Sequence, residues 1–159
     1  MKSWLEAVQD ATFQGANKAT TGAFGEGQRL SGEQLVKVLT TRRNAVVATT
    51  RRDGRPHSTP CAFVLHERSI WLPVVPGAAR AKHVVRQPWI SMVISEGQLE
   101  THGVVIIEGP ASIVAQPPEG ALQAAKAKLG GVSWIGQWIE LTPERILSYA
   151  SPGWKEEGV

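Results

Sequence analysis

Between Ala45 and Leu141 the chain carries six apolar segments of strand length, most joined by turns too short to hold a helix. Strands that follow one another through short turns must pair antiparallel, so this run confines the fold more than anything else in the sequence. The segments are Ala45–Thr50, Pro56–Leu65, Ser69–Val75, Trp89–Ser95, His102–Val114 and Trp134–Leu141. Arg51-Arg52-Asp53-Gly54-Arg55 holds an Asp-Gly hairpin signal, and His66-Glu67-Arg68 and Glu96-Gly97 mark further turns. Gly109-Pro110 inside the longest segment predicts a bend or bulge. Helices enter at only two crossings. One begins at Arg80, and the other is opened by Pro117-Pro118, runs through Leu129 and is closed by Gly130-Gly131. The expectation is a mainly β fold, a six-stranded antiparallel barrel flanked by helices.

Outside that run the signals change. Trp4, Leu5 and Val8 share one face of a short helix, and Gly15 through Gly27, rich in Gly, Ala and Thr, reads as a flexible or extended connection. Ser31 and Gln34 form a capping box for a second helix whose apolar face is Leu35, Val36, Val38 and Leu39. The division predicted is residues 1–30, an N-terminal helix and flexible extension outside the core, and residues 31–159, the barrel domain. Thr142-Pro143-Glu144-Arg145 reads as a terminal helical turn, with Thr as cap and Pro in first position. A net charge of +3 permits an acidic ligand without indicating nucleic acid. Arg42, Arg43, Arg51, Arg52 and Arg55 lack the aromatic interleaving that base stacking needs. No apolar run approaches the ~20 residues of a membrane span, and Met1-Lys2-Ser3-Trp4 does not open a signal peptide. One cysteine excludes an intramolecular disulfide, which fits a cytoplasmic protein.

The chemistry-bearing stretch is Arg80-Ala81-Lys82-His83, placed where a strand runs into a helix. Free N–H groups and the helix dipole favour an anion there, and two cationic side chains add to them, so a phosphorylated ligand is expected. Arg55-Pro56-His57-Ser58-Thr59-Pro60-Cys61 is the second candidate. Period two puts His57, Thr59 and Cys61 on one strand face and Ser58 and Pro60 on the other, so only one set faces a pocket. His57, His66, His83 and His102 lack metal spacing and read as structural or surface histidines; no metal is expected. Cys61, in an apolar strand, reads as an inert thiol. No nucleophile elbow, phosphate-binding loop or dinucleotide fingerprint is present. The six tryptophans and the N-terminal segment suggest apolar surface buried against a second copy.

Taken together, Ala48 to Pro56 with its hairpin turn, Arg80-Ala81-Lys82 with Arg86-Gln87-Pro88, Glu108-Gly109-Pro110-Ala111 and Leu141 to Ile146 resemble the pyridoxamine 5′-phosphate oxidase-like, FMN-binding split-barrel superfamily. The branch that uses the deazaflavin F420 looks closest. The resemblance spans about residues 44 to 149 and implies a homodimeric split barrel. It further implies an oxidoreductase that binds F420 or FMN at the dimer interface and passes hydride to a small organic substrate. The alternative within the superfamily is a flavin- or haem-binding protein without turnover. By the same resemblance, Arg80 and Lys82 would bind the cofactor phosphate, Ser58, Thr59 and Pro60 would line the ring or ribityl chain, and Val75 would approach through its backbone. Arg51, Arg52 and Arg55 at one hairpin, with Arg42 and Arg43 before the first strand, would hold an acidic cofactor tail if they face the same groove as Arg80 and Lys82. Two departures stand out: Pro73-Val74-Val75-Pro76 replaces a hydroxyl residue at the end of the third strand, and His83-Val84-Val85 replaces a polar helical continuation.

Overall fold

The computed structural model describes residues 1–98 and 100–157. β1 (Asn44–Thr50) and β2 (Pro56–Ala62) form the hairpin expected around Asp53-Gly54, in register from Asn44 opposite Ala62 to Thr50 opposite Pro56. Gly54 takes φ +83° in the turn, a conformation that suits glycine. Beyond Phe63 the chain enters β3 (Val64–His66), which turns back into β4 (Ser69–Val74). β5 (Trp89–Gln98) and β6 (Thr101–Val114) make a long hairpin, and β7 (Gln137–Leu141) and β8 (Arg145–Ala150) complete the β structure. The strand order is β2-β1-β5-β6-β7-β4-β3, with β8 also on β6.

β6 therefore has two neighbours on one edge. Its first part, Gly103–Glu108, pairs with β8, and its last part, Ala111–Val114, pairs with β7. Gly109-Pro110 is the crossover, as the bend signal predicted. The β7–β8 link passes over it, with Thr142 N–H donating to Pro110 O (3.1 Å) and Glu144 N–H to Glu108 O (3.0 Å). A Cβ at Gly109 would collide with the Thr142 carbonyl oxygen. The sheet splits here into two curved halves around one core, which includes Leu35, Leu39, Phe63, Leu72, Met92, Ile107 and Ile139.

The strands number eight rather than six, for two reasons. The expected segment Pro56–Leu65 breaks at Phe63, which is wholly buried and whose N–H donates to Arg43 O, so β2 belongs to one half-sheet and β3 to the other. The expected terminal helical turn is instead the approach to β8. Thr142-Pro143 imitates a helix start, but Ile146, Ser148 and Ala150 alternate into the core and that burial decides the conformation. The turn expected at Glu96-Gly97 falls later, since Gly97 and Gln98 are still paired with His102 and Thr101.

Helices close the open surfaces. α1 (Lys2–Gln14) is not an appendage: Leu5, Gln9, Thr12 and Phe13 are buried, and it packs on β8 and α3 (Gly32–Thr41). Gln9 Nε2 donates to Leu30 O (2.9 Å), Leu30 N–H to Ser148 Oγ (2.9 Å) and Ile146 N–H to Thr12 Oγ1 (3.0 Å). The stretch expected as a flexible or extended connection holds α2 (Lys18–Ala23), capped by Asn17. Ser31 and Gln34 make the anticipated capping box of α3. α4 (Ala79–Arg86) packs on β1 and β6. α5 (Glu119–Leu129), ended by Gly130 in the left-handed region, covers Val64, Trp71 and Trp138 on the outer face of β3, β4 and β7. α6 (Pro152–Glu157) follows β8. No described helix is long and apolar enough to cross a membrane.

Candidate functional site

β2 is an edge strand, and α4, packed on β1 and β6, meets it in a seam. Two contacts fix that seam. The His57 and His83 rings meet edge to face at 5.1 Å between centroids. Arg80 Nη2 donates to Pro73 O (3.2 Å), the same carbonyl that Cys61 Sγ approaches at 3.9 Å. His57, Thr59 and Cys61 share one face of β2 by period two, and Arg80 and His83 share one face of α4 by their three-residue spacing. The seam therefore gathers these five side chains.

Three polar atoms buried in it have no hydrogen-bond partner among the described residues: His57 Nδ1, Thr59 Oγ1 and Arg80 Nε. Leaving such atoms unpaired costs about 1–3 kcal/mol each, so the seam is poised for a polar ligand. α4 also begins after Ala78, and no side chain caps its first N–H groups. Arg80 is half-buried; Lys82 and Arg86 are exposed on the far side of the helix. Against this positive charge β1, β2 and α4 carry no acidic residue at all. Donors in excess, an uncapped helix start and no carboxylate fit a phosphate-bearing group. Burial, reinforced by His57, Arg86 and Arg51, holds the His83 imidazole below its ordinary range. Burial pushes the Cys61 thiol up, with Arg80 opposing, so it stays protonated and unreactive at neutral pH.

A model of the pyridoxamine 5′-phosphate oxidase family matches residues 31–150. The chain belongs to that family. None of the curated proteins matches it in sequence. Among solved structures, the conserved hypothetical protein Rv2991 of Mycobacterium tuberculosis superposes with a TM-score of 0.66 at 19% identity, covering 80% of this chain and 89% of that one. An FAD-binding protein from Mycobacterium smegmatis gives 0.58 at 20% identity, with 76% and 95% covered. The haem storage protein HutZ of Vibrio cholerae gives 0.60 at 18% identity, with 76% and 96% covered. At such identities the likeness establishes the split-barrel fold of the family and leaves ligand choice to the residues.

Those residues divide. Thr59 and Arg80 stand in the seam, whereas Ser58 and Pro60 lie on the opposite, outer face of β2, beside Val46 and Ala48 of β1. Val75 is 43% exposed, and its carbonyl already accepts from Ala78 N–H (3.2 Å). Arg55 is held by Asp53, through Nε to Oδ2 at 2.9 Å. Of the five arginines considered for an acidic tail, Arg42 pairs with Glu96 (2.6 Å) and Arg43 reaches Leu129 O (3.3 Å), at the far end of β1 from the turn. Among the described residues Arg51 and Arg52 have no such partner, and Arg51 lies near His83. His57 and His83, taken from sequence as structural or surface, are the seam residues that reading missed. His57 shares the Thr59 face and His83 lies one turn beyond Arg80, so periodicity applied to each element would have placed them.

Proposed function

We propose that this chain is a flavin-dependent oxidoreductase that binds a phosphate-bearing flavin between two copies of itself and passes hydride to a small organic substrate. The observation that carries the reading is the carboxylate-free seam of β2 and α4 with its three unpartnered polar atoms. Arg80, Thr59 and the α4 start would hold the phosphate, with Lys82 adding charge from outside. Ser58 and Pro60 would border the ring on the outer face, and Val75 would lie beside it. The flavin supplies the hydride chemistry, while the chain binds, orients and shields, which agrees with the inert Cys61. FMN is favoured over F420, because three of the five arginines that an acidic tail would use are engaged by Asp53, Glu96 and Leu129 O.

The outer face of the β2-β1-β5-β6-β8 half-sheet supports a second copy. Val46 and Trp89 are 49% and 44% exposed there, and Pro60, Val93, Ile106 and Leu147 continue the strip. Two clefts of the protomer lie away from the seam, one of about 310 Å³ beside Lys128 and one of about 490 Å³ beside Trp4 and Arg68. A seam at an edge strand, next to an apolar face, suits a site walled by a partner.

The test is titration of the purified protein with FMN, F420 and haemin, together with Arg80→Ala/Lys82→Ala. FMN should bind most tightly. The double variant should remain folded and lose at least tenfold in affinity, since each charge-assisted bond contributes about 1.5–3 kcal/mol. Unchanged FMN affinity in the variant, or preference for haemin, would overturn the assignment.

A further inference from the structure

We infer that His57 and His83 form a proton-accepting pair in the phosphate site, so that binding of a phosphorylated flavin draws a proton onto the pair. This rests on the proposed reading of the seam and adds a regulation by pH that the phosphate contacts alone do not imply.

The pair is built into the fold. His83 is 8% exposed, and its Nδ1 lies 2.8 Å from Thr49 Oγ1. The same hydroxyl donates to His57 O (3.4 Å), and with its proton so placed His83 carries its own at Nδ1. His57 meets the His83 ring at 5.1 Å and keeps its own Nδ1 buried without a partner. On β1, β2, α4 and the residue that follows β1, every charged group is a cation: Arg51 after β1, and Arg80, Lys82 and Arg86 on α4. β6, which α4 also touches, has one carboxylate, Glu108, and Arg145 holds it at 2.9 Å. Asp53 in the nearby turn is held by Arg55. Burial, with His57, Arg86 and Arg51 beside it, holds the His83 imidazole below its ordinary range in the free protein.

An incoming phosphate dianion reverses the local field. A proton taken from solvent onto the pair then makes both nitrogens of the protonated ring donors and sets a positive charge beside the phosphate. Ligand and proton raise each other's affinity by the same factor. Riboflavin, which lacks the phosphate, gives no such reversal.

The experiment measures Kd for FMN and for riboflavin from pH 7 to 9, with FMN calorimetry in two buffers of different ionisation enthalpy. Above pH 7 the FMN phosphate, whose second pKa is about 6, stays dianionic and adds no slope of its own. The expected result is FMN affinity falling about tenfold across the interval, with a buffer-dependent heat showing proton uptake, while riboflavin affinity stays level. His57→Gln, on an edge strand, should keep its circular dichroism and flatten the FMN profile. It leaves Lys128, which titrates in the same interval, in place. FMN binding with a level profile, or a slope that persists in both His57→Gln and His83→Gln, would overturn the inference while leaving the flavin reading intact. Failure of FMN to bind at any pH would overturn both.

Discussion

Lys128 shows how one side chain is drawn in two directions. Its ammonium donates to Leu39 O (2.9 Å), an end carbonyl of α3, and sits 3.9 Å from the centre of the Phe63 ring. Both contacts favour the cation. Burial disfavours it more, and the group falls to about 8 from its ordinary 10.5. A cation whose pKa is lowered by folding costs stability below the folded value, and that cost fades as pH rises toward the unfolded one. Wild-type Tm should therefore gain on that of Lys128→Met between about pH 8 and 10.5, and a constant difference across that interval would remove the burial argument. None of this was legible in the sequence, where Lys126 and Lys128 are two similar residues at a helix end. Periodicity gives the faces that His57 and His83 occupy, but their pairing was not legible, because it depends on where α4 meets β2. The placement of Arg80 and Thr59 was legible, since it follows from local position, a strand-to-helix junction and one face of a strand.

At the scale of elements, local signals served wherever the chain decides for itself. The Ser31–Gln34 box, the Asp53-Gly54 hairpin and the Gly130 stop are contacts within a few residues, and all three stand in the structure. β8 was misread because its Thr-Pro start is a local helix signal overruled by the burial of Ile146, Ser148 and Ala150. α1 was underestimated because its buried Gln9 and Thr12 are polar, yet each meets a partner more than twenty residues away, Leu30 and Ile146. α3 and α5 show a reciprocal device: Lys128 of α5 caps α3 at Leu39 O, and Arg43, just past α3, caps α5 at Leu129 O. The crossing of the β7–β8 link over β6 gives the sharpest test at this scale. Gly109→Ala forces backbone against backbone and should lower stability by roughly 3 kcal/mol or more, or prevent folding, as measured by urea denaturation. A loss below 1 kcal/mol would show that the link can move aside.

For the molecule as a whole, the proposed assembly is tested at the half-sheet face around Val46. Val46→Glu places a charge in the apolar strip without touching the core of the protomer, where Val47 points instead. Light scattering should report a dimer for the wild type and a monomer for the variant, with FMN affinity falling alongside; a variant that stays dimeric would move the interface elsewhere. The fold class was readable because six of the eight strands follow one another with turn chemistry between them. The split itself was not, since it depends on which partners one long strand accepts. That strand, β6, is common property of both half-sheets, hydrogen-bonded to β8 below Gly109 and to β7 above it. Loosening either half strips partners from the strand that holds the other, so the two cannot melt in turn and unfolding is a single cooperative event. Folding meets the same condition in reverse: β6 is complete only after the chain has gone out through α5 and returned twice, a long closure that sets a slow final step.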